Sequence, residues 1–193
     1  MKKAPLVFTA LLIFTNVRAE NTNENDGAWS EAVNGLRGRL IVTQAKEENG
    51  VQRPKVFLEL QNVADVLDAI QIHEFNPQTS FQCRVLDNAG KTVIGAPIGI
   101  REMIVPAFAL DIPFESSLRL NVNRHAPGGW FLGEAPPKEC IEIVLGDGVW
   151  VIDKENRADY SLEGTFQIEE VPGLTSPPNW SGTLKIPGVK IPR

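Results

Sequence analysis

Histidine occurs only twice in the chain, at His73 and His125, and neither has a second histidine or a cysteine at ligand spacing. A zinc-type centre needs several convergent ligands, so no metal or other cofactor is expected, and both histidines read as structural. The Gly-x-Ser-x-Gly signature is absent, and Ser116-Ser117 stands before a plain strand pattern, which argues against a hydrolase built on an activated serine. Gly146-Asp147-Gly148 lacks the repeated acidic spacing of a calcium loop and reads as a turn. Long helices have little room, because fourteen prolines and sixteen glycines punctuate the chain along its length.

A long apolar span is missing too. The one apolar run near the start, Leu6 to Phe14, is broken by Thr9 and is too short to cross a hydrocarbon core as a helix. It follows Met1-Lys2-Lys3 and precedes Val17-Arg18-Ala19, the order of a cleavable signal peptide with its cut between Ala19 and Glu20. Residues 1–19 are therefore expected to be a leader, residues 20–28 a flexible mature terminus, and residues 29–193 a single domain in the periplasm or outside the cell. Without Lys2, Lys3 and Arg18, sixteen basic residues face twenty-four acidic ones, a formal charge of −8. Such a balance disfavours nucleic acid and anionic lipid as partners.

What the sequence does contain is alternation. Runs of period two, each closed by turn residues, recur from Gly35 to Thr43, Val56 to Asn62, Ala69 to His73, Phe81 to Leu86, Leu118 to Val122, Cys140 to Leu145, Ser161 to Ile168 and Gly182 to Ile186. Lys46 to Gly50 and Asp87-Asn88-Ala89-Gly90 supply turn chemistry between them. Pro97, Pro106 and Pro113 make Met103 to Val105 and Leu110 to Ile112 edge strands or short crossings, and only Val63 to Leu67 has room for a helical turn. Ala126 to Pro137 is a loop-rich insertion. Eight to ten short strands of this kind predict an all-β antiparallel sandwich or barrel. Asn156 to Leu162, around the lone Tyr160, resembles the tyrosine corner of immunoglobulin-like domains and favours the sandwich; an ordinary strand tyrosine is the alternative.

The two ends of the chain carry a resemblance. Gly27-Ala28-Trp29-Ser30-Glu31-Ala32-Val33-Asn34-Gly35-Leu36-Arg37-Gly38-Arg39-Leu40 is similar to the opening of a group of uncharacterised bacterial secreted domains, and Trp180-Ser181-Gly182-Thr183-Leu184 with its proline-ended tail is similar to their closing strand. Leu60-Gln61-Asn62 fits the Asn-ended turn after the group's second strand. The resemblance implies an immunoglobulin-like sandwich and brings no activity or catalytic residue with it. Trp29 and Trp180 then read as apolar plugs near the chain ends, against the alternative of ligand-stacking surfaces.

Two further features remain open on the residues alone. Cys83 and Cys140 are either a disulfide permitted by export or two separately buried thiols, since Cys83 shares a face with Phe81 and Val85 while Cys140 alternates against Ile141 and Ile143. Trp130 and Phe131 lie in a Gly/Pro loop and form either a recognition platform or a lid over the sandwich end. Asn179-Trp180-Ser181 is a glycosylation sequon by letter alone. Together these features lead to the expectation of a non-enzymatic binding or structural module, working through a sandwich end or edge on an unknown protein or glycan. A carbohydrate-binding module using Trp130 and Phe131, a secreted protease inhibitor presenting Ala126 to Trp130, and a hydrolase of unrecognised type are the rival readings.

Overall fold

The computed structural model describes residues 24–44, 47–48, 50–65, 68–76, 79–97, 107–123, 139–146, 148–153, 155, 160–170 and 179–191. Among them are fifteen strands and no helix, and the strands form an all-β sandwich. The front sheet has the order β1-β2-β5-β11, with β1 at Glu24–Asp26, and is antiparallel throughout. Its centre is β2 (Leu36–Thr43) paired along its length with β5 (Lys55–Asn62); β11 (Ser117–Asn121) lies beyond β5. Alternation sends Leu36, Leu40, Val42, Val56, Leu58 and Leu60 to the inner face, where all are fully buried. Each such side chain contributes roughly 1.5–3 kcal/mol by leaving water. Arg37, Arg39, Glu59 and Gln61 take the outer face, with Arg39 Nε donating to Glu59 Oε2 at 2.6 Å across the ladder.

The back sheet has the order β15-β14-β7-β8. Here β14 (Ser161–Ile168) lies between β15 (Gly182–Lys190) and β7 (Phe81–Leu86), and β8 (Thr92–Val93) follows β7 through a tight turn. In that turn Gly90 N donates to Asp87 O at 3.0 Å, while Asp87 Oδ1 accepts from Ala89 N and Lys91 N. Leu162, Phe166, Leu184 and Ile186 belong to the same core cluster as the inner face of the front sheet. The sheets meet closely at Gly38, where a Cβ would lie 3.2 Å from Ile186 Cδ1.

Two further sheets, of five strands and of two, close the flanks. One has the order β3-β4-β12-β13-β9, from β3 (Glu47–Glu48), β4 (Val51–Gln52), β12 (Cys140–Leu145), β13 (Gly148–Asp153) and β9 (Ala96–Pro97). Only β4 and β12 run parallel. Pro97 sits on the edge strand, as a residue without an N–H requires. Strand β12 is buried on both faces: Ile141, Ile143 and Leu145 enter the central cluster, while Cys140 and Val144 are buried outside it. The Trp150 indole on β13 fits against two glycines and donates from Nε1 to Val93 O at 2.9 Å; a Cβ at Gly95 or Gly148 would fall 2.7 or 2.6 Å from its ring. The two-stranded sheet pairs β6 (Ile70–Phe75) with β10 (Phe108–Ile112). Asn123, bridged to Leu145 of β12, ties the front sheet to the five-stranded flank: its Oδ1 accepts from Val56 N at 2.6 Å and its Nδ2 donates to Pro54 O at 3.1 Å.

Several expectations change. Residues 24–26 are not a loose terminus: they form β1 (Glu24–Asp26) on the edge of β2, with Asp26 on Arg39 at 2.9 Å and Glu24 on Arg119 at 3.5 Å. Gly148, read as the end of the Gly146-Asp147-Gly148 turn, opens a full strand, β13, that runs to Asp153. The last strand continues through Pro187 to Lys190, because β15 is an edge strand and a bulge opposite Leu162 and Gly164 absorbs the register change. Residues 63–65 are not helical. The strand expected over residues 103–105 and the insertion over residues 126–137 lie outside the described residues.

Candidate functional site at the sandwich end

Asn34-Gly35 is the turn dipeptide that reverses a chain with positive φ at both central positions, and φ is 49° and 77° there. Val33 N donates to Leu36 O at 2.8 Å and Leu36 N to Val33 O at 3.0 Å, closing the turn at the head of β2. Two more segments converge on it. Residues 63–64 and Asp68 are held by Val63 N on Gly35 O at 2.7 Å and by the amide of Asn62. Fully buried, Asn62 donates from Nδ2 to Asp68 O and Ile112 O, each at 3.0 Å, and accepts from Ala64 N at 3.0 Å. The approach to β15 supplies the third segment: Asn34 Nδ2 donates to Ser181 O at 2.8 Å, and Trp180 Nε1 to Val33 O at 2.9 Å.

Between these segments lies a cleft of about 330 Å³, with Ala64, Ile70 and Trp180 as apolar wall and Asn34, Asp68, Asn179 and Ser181 as its polar groups. Trp180 is only 4% exposed and stacks on Phe166 with ring centroids 5.5 Å apart, so the wall is anchored in the core. Asn179 is fixed in orientation. Its Oδ1 accepts from His73 N at 2.9 Å while the next residue donates from Trp180 N to Gln71 O at 2.7 Å, and turning the amide over would set two donors against each other. This leaves Asn179 Nδ2 as a buried donor with no partner among the described residues. A buried unpaired amide donor costs about 1–3 kcal/mol, which calls for a ligand, a water or another reason.

The residues singled out from the sequence fall in different places. Trp180 is a plug in the core and also lines the cleft. Trp29 is not a plug: it is half-buried on the outer side of the front sheet, with the guanidinium groups of Arg37 and Arg39 at 4.7 and 4.6 Å from its ring centroid. Tyr160 is half-buried against the core, and the 156–159 segment of its expected corner lies outside the described residues. Cys83 and Cys140 form no disulfide, and both are free. Cys83 packs against the central cluster from the back sheet, whereas Cys140 is buried on the opposite face of a flanking strand, so the two thiols belong to different layers. Burial pushes the Cys83 thiol up to about 12, and burial, with the nearby Glu142 carboxylate, raises that of Cys140. His73 is half-buried and contributes its backbone N–H, not its ring, to the Asn179 contact. Ser116 Oγ donates to Phe114 O and Ser117 Oγ to Glu59 Oε1, each at 3.3 Å, and no group of three or more His, Cys, Asp or Glu converges among the described residues. Trp130, Phe131, His125 and Asp147 lie outside the described residues.

Sequence reasoning missed Asn34 and Asn179. The Asn-Gly dipeptide was the available signal for Asn34, while Asn179 was visible only as part of a sequon. No family model, curated protein or solved structure matches this chain. No helix among the described residues is long and apolar enough to cross a membrane.

Proposed function

We propose that this protein is an exported, non-enzymatic binding module on an immunoglobulin-like sandwich, and that it holds its ligand in the cleft at the sandwich end. The unpartnered Asn179 Nδ2 beside an apolar wall carries this reading. A cleft of about 330 Å³ falls within the range of small-ligand sites, where a few polar groups orient a mostly apolar contact. The chemistry selects a compact ligand with a carbonyl, ether or hydroxyl oxygen for the Asn179 amide and an apolar face for Ile70 and Trp180. A sugar unit or the end of a partner's polypeptide meets that description. Support for a binding role over catalysis comes from the lining itself, where among the described residues no histidine or cysteine stands beside the Ser181 hydroxyl or the exposed Asp68 carboxylate. Export rests on the Lys2-Lys3 head, the Leu6 to Phe14 run and Val17-Arg18-Ala19.

The test is a thermal-shift screen of the processed protein against soluble glycans and short peptides, repeated on Ala69→Trp. Ala69 is an exposed residue of the cleft lining, so the indole blocks the cleft without entering the core. A ligand at about one hundred times its Kd stabilises the wild type by about 2.7 kcal/mol, and the variant should lose that shift. A shift that persists in Ala69→Trp, or none across the screen, contradicts the assignment.

A further inference from the structure

The outer face of the front sheet carries three guanidinium groups, and one is held differently from the others. Arg39 reaches Glu59 at 2.6 Å and Asp26 at 2.9 Å; Arg119 reaches Glu24 at 3.5 Å and Glu59 at 4.0 Å. These contacts engage the carboxylates of Glu24, Asp26 and Glu59. Arg37 instead donates from Nε at 2.8 Å and Nη2 at 2.6 Å to a single neutral acceptor, Gln61 Oε1, its partner in the ladder. The Trp29 ring lies 4.7 Å from its guanidinium carbon. No carboxylate lies within ion-pair distance of Arg37 among the described residues.

The two bonds to Gln61 use the edge of the guanidinium formed by Nε and Nη2. The other edge, formed by Nη1 and the remaining hydrogen of Nη2, has no partner among the described residues. Gln61 fixes the plane of the group without neutralising it, and Trp29 holds it from the ring side. A planar fork so fixed matches the two oxygens of a carboxylate, and its ordering cost has already been met in the fold.

From this geometry we infer that Arg37 is a carboxylate-binding residue, its free edge taking both oxygens of a ligand carboxylate on the outer face of the front sheet. The site is separate from the cleft at the sandwich end and does not depend on that cleft having a ligand. Its selectivity follows from shape: Arg37→Lys keeps the charge and loses the fork, while Gln61→Glu supplies the anion from within the protein.

Backbone amide NMR of the processed protein, titrated with sodium acetate against sodium chloride at constant ionic strength, tests the inference directly. Residues 36–38 and 60–62 should move saturably with acetate and not with chloride, and glucuronate should act at the same amides. Arg37→Lys should weaken acetate about tenfold, and Gln61→Glu should abolish its binding while keeping a folded spectrum, since it adds an ion pair. The inference is overturned by an absent or chloride-matched response, by undiminished acetate affinity in Gln61→Glu or Arg37→Lys, or by inorganic phosphate binding more tightly than acetate. Should Arg37→Lys fail to fold, the Gln61→Glu result decides alone. Ala69→Trp should leave the acetate response unchanged, which keeps this outcome apart from that of the cleft.

Discussion

Asn62 illustrates how one side chain can join three pieces of chain. Its amide holds the carbonyls of Asp68 and Ile112 and the N–H of Ala64 with no exposure to solvent, so removal strands several backbone groups at once. Asn62→Leu, close in volume, should cost about 2–4 kcal/mol in urea unfolding at unchanged m-value; a loss below about 0.5 kcal/mol would mean that water replaces the amide. That the strand ends at Asn62 was legible in the sequence, but the three partners of its amide were not, because they lie in segments that only the fold brings together. Cys83 supplies a second test, in pH. Its thiol is raised from 9.0 to about 12, so between those values the folded state keeps a proton that the unfolded chain gives up. The unfolded state then binds fewer protons, and stability must fall as pH rises from about 9 towards 12. Wild type should lose stability more steeply across that window than Cys83→Ala. Equal slopes would show that the thiol is not buried in its protonated form.

Strands differ in how plainly the sequence announces them. Phe81–Leu86, Cys140–Leu145 and Ser161–Ile168 match their alternating or apolar runs end to end, with turn residues marking the limits. β13 does not announce itself, because Val149-Trp150-Val151-Ile152 is a continuous apolar run with no polar phase, so period two cannot identify it. β1 is the opposite case. Glu24-Asn25-Asp26 has no apolar residue at all and is ordered by β2, Arg39, Arg119 and the bond from Asn25 Nδ2 to Lys190 O at 3.0 Å. The cleft was illegible for the same reason, since its walls come from residues 34, 64, 68–70 and 179–181. Gly164, in the middle of β14, reverses the usual rule that alanine strengthens a strand relative to glycine. A Cβ there would stand 2.6 Å from Phe81 Cε2, on a ring that is itself buried. Gly164→Ala should therefore destabilise by about 1–3 kcal/mol in thermal or urea unfolding. A gain in stability would show that Phe81 can move aside.

At the scale of the whole molecule, the described residues share one apolar interior among four sheets. Leu58 and Leu60 enter it from the front sheet, Leu162 and Phe166 from the back, Ile141 and Ile143 from the larger flank, and Ile72 and Ile112 from the smaller. Layers that share a core lose it together, so far-UV circular dichroism and tryptophan fluorescence should report coincident unfolding midpoints. Midpoints that separate would divide the molecule into independent units, with the larger flank the first candidate to part. One contact bears on how that flank can change over generations. The Trp150 indole lies so close to Gly95 and Gly148 that neither glycine has room for even a methyl group beside it. A lineage that enlarges either position must first shrink the ring between them. Among descendants of this chain, positions 95, 148 and 150 should vary as a linked trio or stay as they are.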